Sequence, residues 1–302
     1  MTQQKSEAAT REAVGPTLIR LAEEGLDIVA VDADLGVSTN AAKFGHAFPD
    51  RFFTVGVAEQ SMIGVAAGLA ATGKIAFASS FAVFAPGRCF DQMRMVVAQP
   101  GLNVKLVGSH GGIITGEDGA SAQALDDFSL MLSMPTVRVI CPSDVIEAEQ
   151  AIEVAAREYG PFYIRVVRPK LPIIHDDSYK FQLGKADVLC AGNDVSIIST
   201  GVMSSVALEA AATLRKDGIS CRVLNVASLR PLDEVAIINA ANETGAIVTA
   251  EDHFVHGGLG GVVAELLARE RPTPMAMVGM NSYGTSGKWR ELMEHFNLTS
   301  DH

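Results

Sequence analysis

Short continuous apolar runs alternate along this chain with longer segments of helical character, and that alternation leaves few folds open. The runs are IVAVDAD at 28–34, KIAFASS at 74–80, NVKLVGSHGG at 103–112, TVRVICPSD at 136–144 and PFYIRVVR at 161–168. A strand with one wet face would alternate polar and apolar residues. These are apolar on both faces, so they belong in a parallel sheet covered by helices on each side. The intervening segments read as an amphipathic helix over 6–24, a small-residue helix over 58–72 and a helix near 84–98. Residues 169–185, PKLPIIHDDSYKFQLGK, break the pattern with polar side chains and two prolines. A second set of strands follows, DVSIIST, CRVLNV and AIVTAED, with helices at about 203–217, 232–244 and 259–270. The expectation is an α/β chain of two doubly wound domains, 1–175 and 186–302, joined by a linker at 176–185.

Charge and composition exclude several classes of function. A net charge of -11 argues against nucleic acid, which calls for a basic face, but leaves room for an anionic substrate held by a few arginines. Cys89, Cys141, Cys190 and Cys221 form no CxxC pair and read as buried free thiols of a reducing compartment. The N-terminal stretch MTQQKSEAATREA is polar and lacks a signal core. No apolar run reaches the roughly 18 residues that span a bilayer. A cytoplasmic location without membrane attachment is expected. His253 and His256 lie three residues apart without a third ligand, so no metal site is expected. The segment HGGLGG before a helix reads as a tight turn with close helix packing rather than a phosphate loop.

In α/β sheets, ligands bind beyond the carboxyl ends of the strands. Asp32 with Asp34, Ser79 with Ser80, Ser109 with His110, and Arg168 all fall there. Any one such cluster is polar simply because it meets water; several from one domain point to a pocket. Glu59 opens an otherwise apolar helix. The helix dipole alone favours a glutamate in a first turn. The chemical reading is a carboxyl shielded from water, able to hold a proton near neutral pH.

The segment FFTVGVAEQSMIGVAAGLA, 52–70, resembles the cofactor-activating segment of the transketolase family. The resemblance continues in FASSFAVF, GSHGGIITGEDG and YIRVVRPKL, reaches back to ATREA and DADLGVS, and forward to EDHFVHGGLGGVVAELL. It covers essentially all of the chain but not a whole enzyme of the family. Full-length members carry a GDG motif and a downstream Asn that hold magnesium and diphosphate. This chain has no GDG; GEDG at 116–119 is a different motif. The resemblance therefore implies a pyrimidine-binding thiamine-diphosphate fold followed by a transketolase C-terminal-like domain with a mostly parallel sheet. It implies the C-terminal subunit of a split transketolase. A separate N-terminal subunit would hold the diphosphate and Mg2+, thiamine diphosphate would be shared, and the assembly would be a two-fold heterotetramer.

By the same resemblance, Glu59 hydrogen-bonds a ring nitrogen of the aminopyrimidine, Phe81 and Phe84 line its pocket, and Asp34 lies near the cofactor and subunit interface. Arg11, Ser38, His110 and Arg168 match positions that grip a sugar phosphate, and Asp118 one that contacts a substrate hydroxyl. Glu59, His110 and Asp118 are the expected catalytic residues. Taken singly, Arg11 reads equally as a helix-surface charge and Asp118 as a turn residue. The chain departs from the family in Ala120, Ser121, Ala122 and Gln123, where Pro-Thr-His-Gln is usual and only the Gln is kept, and at Gly87, where a Tyr is common. These departures leave the donor open, as a ketose phosphate or another anionic sugar such as a sulfo-sugar. Rival readings are chemistry like that of 1-deoxyxylulose-5-phosphate synthase, a 2-oxoacid dehydrogenase beta-type subunit, or a non-catalytic scaffold that kept the fold.

Overall fold

The computed structural model describes residues 6–302; residues 1–5, the start of the polar N-terminal segment and of the expected first domain, lie outside the described residues. The strands run β1 Glu7–Ala8, β2 Ile28–Asp32, β3 Phe52–Thr54, β4 Ile75–Phe81, β5 Val104–Ser109, β6 Arg138–Ile140, β7 Phe162–Arg165 and β8 Leu171–Pro172. They continue as β9 Asp187–Cys190, β10 Val195–Ser199, β11 Cys221–Asn225, β12 Ser228–Arg230, β13 Ile247–Phe254 and β14 Met275–Met280. One sheet has the order β12-β6-β7-β5-β4-β2-β3 and the other β14-β13-β10-β11-β9. Both are parallel except at one edge, where β12 and β9 run antiparallel. Such sheets need helices on both faces, and the apolar strands supply the surface for them.

The alternation along β2 and β4 sorts side chains between two cores. Val29, Val31, Ala76 and Ala78 face the helix Glu59–Ala71, where Met62, Ile63 and Ala66 are fully buried. Ile28, Ala30 and Phe77 face the opposite side and pack with Val14 and Leu18 of the helix Val14–Glu23. The small residues of β4 let the helix approach closely, and large ones fill the other side.

Two local expectations are corrected. The segment 6–24 is not one helix: it begins with β1, passes through a 3-10 turn at Thr10–Ala13 and becomes α-helical only at Val14. Thr10 Oγ1 accepts from the Val167 N–H at 2.7 Å, so this start is stitched to the end of the sheet. The segment 84–98 is broken into Ala85–Arg88, Phe90–Gln92 and a π-helical turn at Met93–Ala98. The stretch 169–185 is held in place at both of its neighbours. Its β8 pairs with β1, and Asp144 accepts from the N–H groups of Ile174 and His175, each at 2.8 Å.

The two sheets are also tied through buried charge. Arg165 is 2% exposed and donates to the Ala124 and Asp252 carbonyls at 2.9 and 2.8 Å. Asp252 in turn accepts from the Ile113 N–H at 2.8 Å. Asn225 of the second sheet donates to both oxygens of the buried Glu147. The first sheet thus extends beyond the expected boundary, because β12, from the second half of the sequence, pairs with β6.

Candidate active site

Glu59 begins its helix behind Ala58, and its side chain is 5% exposed. The carboxyl is shielded from water as the sequence suggested, yet it has a partner. Arg88 Nη1 donates to Glu59 Oε1 at 2.7 Å, and the same guanidinium lies over the Phe84 ring, 4.1 Å from its centroid. Gln60 Nε2 fixes the Arg88 carbonyl at 3.1 Å. Phe84 and Phe81 stack at 5.7 Å with an interplanar angle of 15°, and Phe81 stacks on the His110 imidazole at 3.8 Å. A carboxyl at one end and aromatic faces beside it suit a planar heterocycle with a ring nitrogen, once Arg88 gives up Oε1.

The line of contacts continues into the cationic residues. His110 sits in the left-handed region (φ 59), directly after β5, and Thr115 Oγ1 donates to its carbonyl at 2.7 Å. That backbone turn aims the ring back toward the strand ends. Arg11 Nη1 lies 3.5 Å from His110 Nε2. A guanidinium only donates, so Nε2 accepts and Nδ1 carries the proton it gives to Ser109 Oγ at 2.9 Å. Burial, then the charges of Arg11 and Arg168, push the His110 pKa down to about 3. The imidazole is therefore neutral at physiological pH. Burial and the facing Arg168 also lower the pKa of Arg11.

The sequence-predicted set is brought together unevenly. Glu59, Phe84, Phe81, His110 and Arg11 form one continuous path of contacts, with Arg88 as the unforeseen link. Ser38 meets Arg11 through its carbonyl, which accepts from Arg11 Nη1 at 2.6 Å. Arg168 and Asp118, expected to grip different parts of a substrate, pair with each other at 3.1 Å while both stay about 40% exposed (40% and 39%). Asp34, also in the left-handed region, lines a separate 240 Å³ cleft with Asp32 and Ser38. Ala122 is buried, and a Cβ added at Gly87 would meet only Leu130 at 4.0 Å. The residues that stand where the family has larger ones thus leave room at Gly87. Gln123 acts elsewhere: its Nε2 donates to the Gly116 and Thr285 carbonyls at 3.2 and 2.8 Å and ties the GEDG turn to the second domain.

Sequence reading missed Arg88, and it missed the second domain's approach to the site. A 330 Å³ cavity is lined by Arg11, Arg168 and Lys170 on one side and by Trp289 and Arg290 on the other. Arg88 was legible in principle, since it lies four residues after Phe84. Nothing in the sequence placed Arg290 beside Arg11. Among the described residues, no group of three or more His, Cys, Asp and Glu side chains could hold a metal ion.

The glycine-rich turn before the helix Leu259–Glu270 has its own occupant. Glu251 accepts from the N–H groups of Leu259 and Gly260, both at 2.7 Å, which fills the place an anion would take. Burial, opposed by those two N–H groups, raises the Glu251 pKa to about 7.

A parallel sheet presenting a buried carboxyl and aromatic faces at its carboxyl ends, followed by a second α/β domain, is the plan of the pyrimidine-binding half of a transketolase-type enzyme. Residues 6–173 match the family model of the transketolase pyrimidine-binding domain, and 184–302 that of the transketolase C-terminal domain. The chain belongs to the transketolase family. It is 43% identical over 284 residues to the 6-deoxy-6-sulfo-D-fructose transketolase subunit SqwH of Clostridium sp. (strain MSTE9), covering 94% of this chain and 88% of that one. A solved split-gene transketolase, described as an inactive β4 tetramer, superposes with a TM-score of 0.90 at 44% identity, over 98% of this chain and 95% of the other. Human transketolase is 38% identical over 297 residues, which are 97% of this chain but only 47% of the human protein.

Proposed function

We propose that this chain is the C-terminal, pyrimidine-binding subunit of a two-chain transketolase that moves a two-carbon ketol unit between phosphorylated ketose and aldose sugars. The observation that carries the reading is Glu59: a buried carboxyl opening a helix, with the Phe84 face within reach of the same guanidinium. When bound, thiamine diphosphate supplies the electron sink for the transferred unit. Glu59 holds the proton at a pyrimidine nitrogen, Phe81 and Phe84 flank the ring, and Asp34, in its own cleft, lies near the cofactor and the subunit interface. His110, neutral and fixed by Ser109, offers Nε2 to a substrate hydroxyl once Arg11 turns to an anion. Asp118 meets a hydroxyl beside the reacting carbon. Arg11, Arg168 and the Ser38 segment take the substrate's phosphate. The domain division follows the sequence reading, 1–175 and 186–302 with the linker between.

The diphosphate and its Mg2+ belong, in this reading, to a separate N-terminal subunit, since this chain carries no GDG motif. A docking face supports such a partner. The helix Glu59–Ala71 leaves Gly64, Val65 and Gly68 uncovered, and a Cβ added at either glycine would meet nothing within 4 Å. Val57, Met95 and Val96 add exposed apolar surface, which a second chain would cover. The assembly is a two-fold heterotetramer in the cytoplasm. No helix among the described residues is long and apolar enough to cross a membrane.

The test combines the chain with the diphosphate-binding subunit, thiamine diphosphate and Mg2+. Ketol transfer between sugar phosphates, lost on Glu59→Ala, is the expected result. Unchanged turnover in that variant would leave a scaffold as the better reading. Release of carbon dioxide from pyruvate would favour a 2-oxoacid enzyme.

A further inference from the structure

The 330 Å³ cavity between the two domains carries four cations, Arg11, Arg168, Lys170 and Arg290, against two lining carboxylates, Glu7 and Glu117, and Asp118, which pairs with Arg168 at its edge, so one positive charge is in excess. That is a local reversal of sign in a chain whose net charge is -11. Two of the cations, Lys170 and Arg290, were not part of the phosphate set read from the sequence, and Arg290 comes from the second domain. Its guanidinium is already organised: it lies over the Trp289 ring at 4.3 Å, and its Nη2 reaches Glu7 only distantly, at 3.7 Å. Stacking fixes the plane of the fork while its N–H edges stay free. On the opposite wall, the buried Nε of Arg11 has no hydrogen-bond partner. A buried unpaired donor is costly, and an anion in the cavity would satisfy it.

We propose that Arg290, seated on Trp289, is the C-terminal domain's contribution to the substrate-anion site, and that with Lys170 it sets the site for a dianionic phosphomonoester over a monoanionic sulfonate. This rests on the proposed ketol transfer between anionic sugars and narrows its substrate class. Arg11 and Arg168 hold the anion from the pyrimidine domain, and Arg290 reaches it across the domain boundary. Substrate binding then bridges the two domains. A phosphomonoester gains its second charge with a pKa of about 6, whereas a sulfonate stays singly charged. The excess of positive charge therefore favours phosphate above that pH.

The test needs only the full chain. Inorganic phosphate, ribose 5-phosphate and methanesulfonate are titrated calorimetrically into the wild type, Arg290→Ala, Arg290→Lys and Arg11→Ala at pH 5.5 and pH 8. The wild type is expected to prefer the phosphates at pH 8 and to lose most of that preference at pH 5.5. Arg290→Ala should weaken phosphate binding about tenfold and methanesulfonate binding less, with Arg290→Lys between. Arg290 is 67% exposed on its side chain, so the variants should keep the wild-type melting temperature. If Arg11→Ala weakens phosphate and Arg290→Ala does not, the second-domain role is wrong while the phosphate reading stands. If neither matters, or phosphate does not bind, both fall. Equal or better binding of methanesulfonate at pH 8 would overturn the charge selection.

Discussion

Arg88 donates to Glu59 at 2.7 Å while its guanidinium carbon lies over the Phe84 ring, 4.1 Å from the centroid, so one guanidinium covers two residues assigned to the pyrimidine. For the cofactor to bind as proposed, the carboxyl must exchange this partner for a ring nitrogen. Arg88 is half exposed (50%) but Glu59 is only 5% exposed, so Arg88→Met leaves a buried carboxyl without its charge partner. A pyrimidine nitrogen would then supply the missing partner, and Arg88→Met should tighten thiamine diphosphate binding to the assembled enzyme by about two- to fivefold. Glu59→Gln should lower kcat by about 10²–10⁴-fold without unfolding the chain. Calorimetric titration of the complex checks the first. Weaker binding by Arg88→Met would mean that the arginine assists the cofactor rather than competing with it.

Arg168 has its carboxylate partner in Asp118, at 3.1 Å, yet it also faces Arg11 closely enough to lower that residue's pKa. A phosphate between the two guanidiniums would relieve the repulsion. Arg168→Ala removes one charge-assisted fork, worth about 1.5–3 kcal/mol. KM for sugar phosphates should rise roughly 10–100-fold, with kcat nearly unchanged and unphosphorylated substrates little affected. Steady-state kinetics on matched substrates decides it; equal effects on both would remove the phosphate role.

The strands and most helices were legible because each carries its own signal. β4 is apolar on both faces, and the helix Glu59–Ala71 is long and rich in small residues. What escaped depended on partners distant in sequence. β12 is three residues whose only reason to be a strand is the free edge of β6. β1 forms because β8 lies beside it, a pairing across more than 160 residues that no local pattern announces. The same holds in the site. Glu59, Phe81 and Phe84 lie on segments whose pattern is local, whereas Arg290 enters through the packing of one domain on the other.

The end of the first domain, just before the linker, holds a titrating group. Burial alone would lower His175, but its hydrogen bond to Asp144 and the nearby Asp187 carboxylate, 3.4 Å from Nε2, outweigh it and raise its pKa to about 10. The raised value means that the protonated ring stabilises the folded state. This contribution is complete below the unfolded pKa of about 6.5 and is lost as pH rises through the folded one. Thermal stability should therefore fall between roughly pH 6.5 and pH 10 by more in the wild type than in His175→Gln. The variant should itself be less stable at pH 6, by about 3–5 kcal/mol, because it leaves Asp144 buried without its charge partner. Parallel pH slopes in the two proteins would show that His175 is neutral in the native state.

Gly258 stands against the carboxylate that caps the next helix: a Cβ there would lie 2.0 Å from Glu251 Oε2. Since Glu251 is buried and accepts from two N–H groups, it has little freedom to retreat. Gly258→Ala should cost about 1–3 kcal/mol through overpacking and the weakened cap. Gly261, in the same helix, has nothing within 4 Å of an added Cβ. Gly261→Ala should instead stabilise by about 0.5–1 kcal/mol, as alanine does in an unobstructed helix. Denaturant midpoints of the two variants should move in opposite directions.

Gly68 lies in the helix Glu59–Ala71 with nothing within 4 Å of an added Cβ, on the face that the isolated chain leaves open. If the face is free in every state of the protein, Gly68→Ala should only help, raising stability by about 0.5–1 kcal/mol. If a partner packs closely there, the added methyl enters a filled interface and weakens assembly by about 1–3 kcal/mol. The expected outcome is both at once: a higher melting temperature for the free chain and a weaker complex with the diphosphate-binding subunit. Sedimentation of the mixed subunits reads the second effect directly. A variant that assembles as tightly as the wild type would move the docking surface off this helix, and with it the route by which another chain's diphosphate site could reach Glu59.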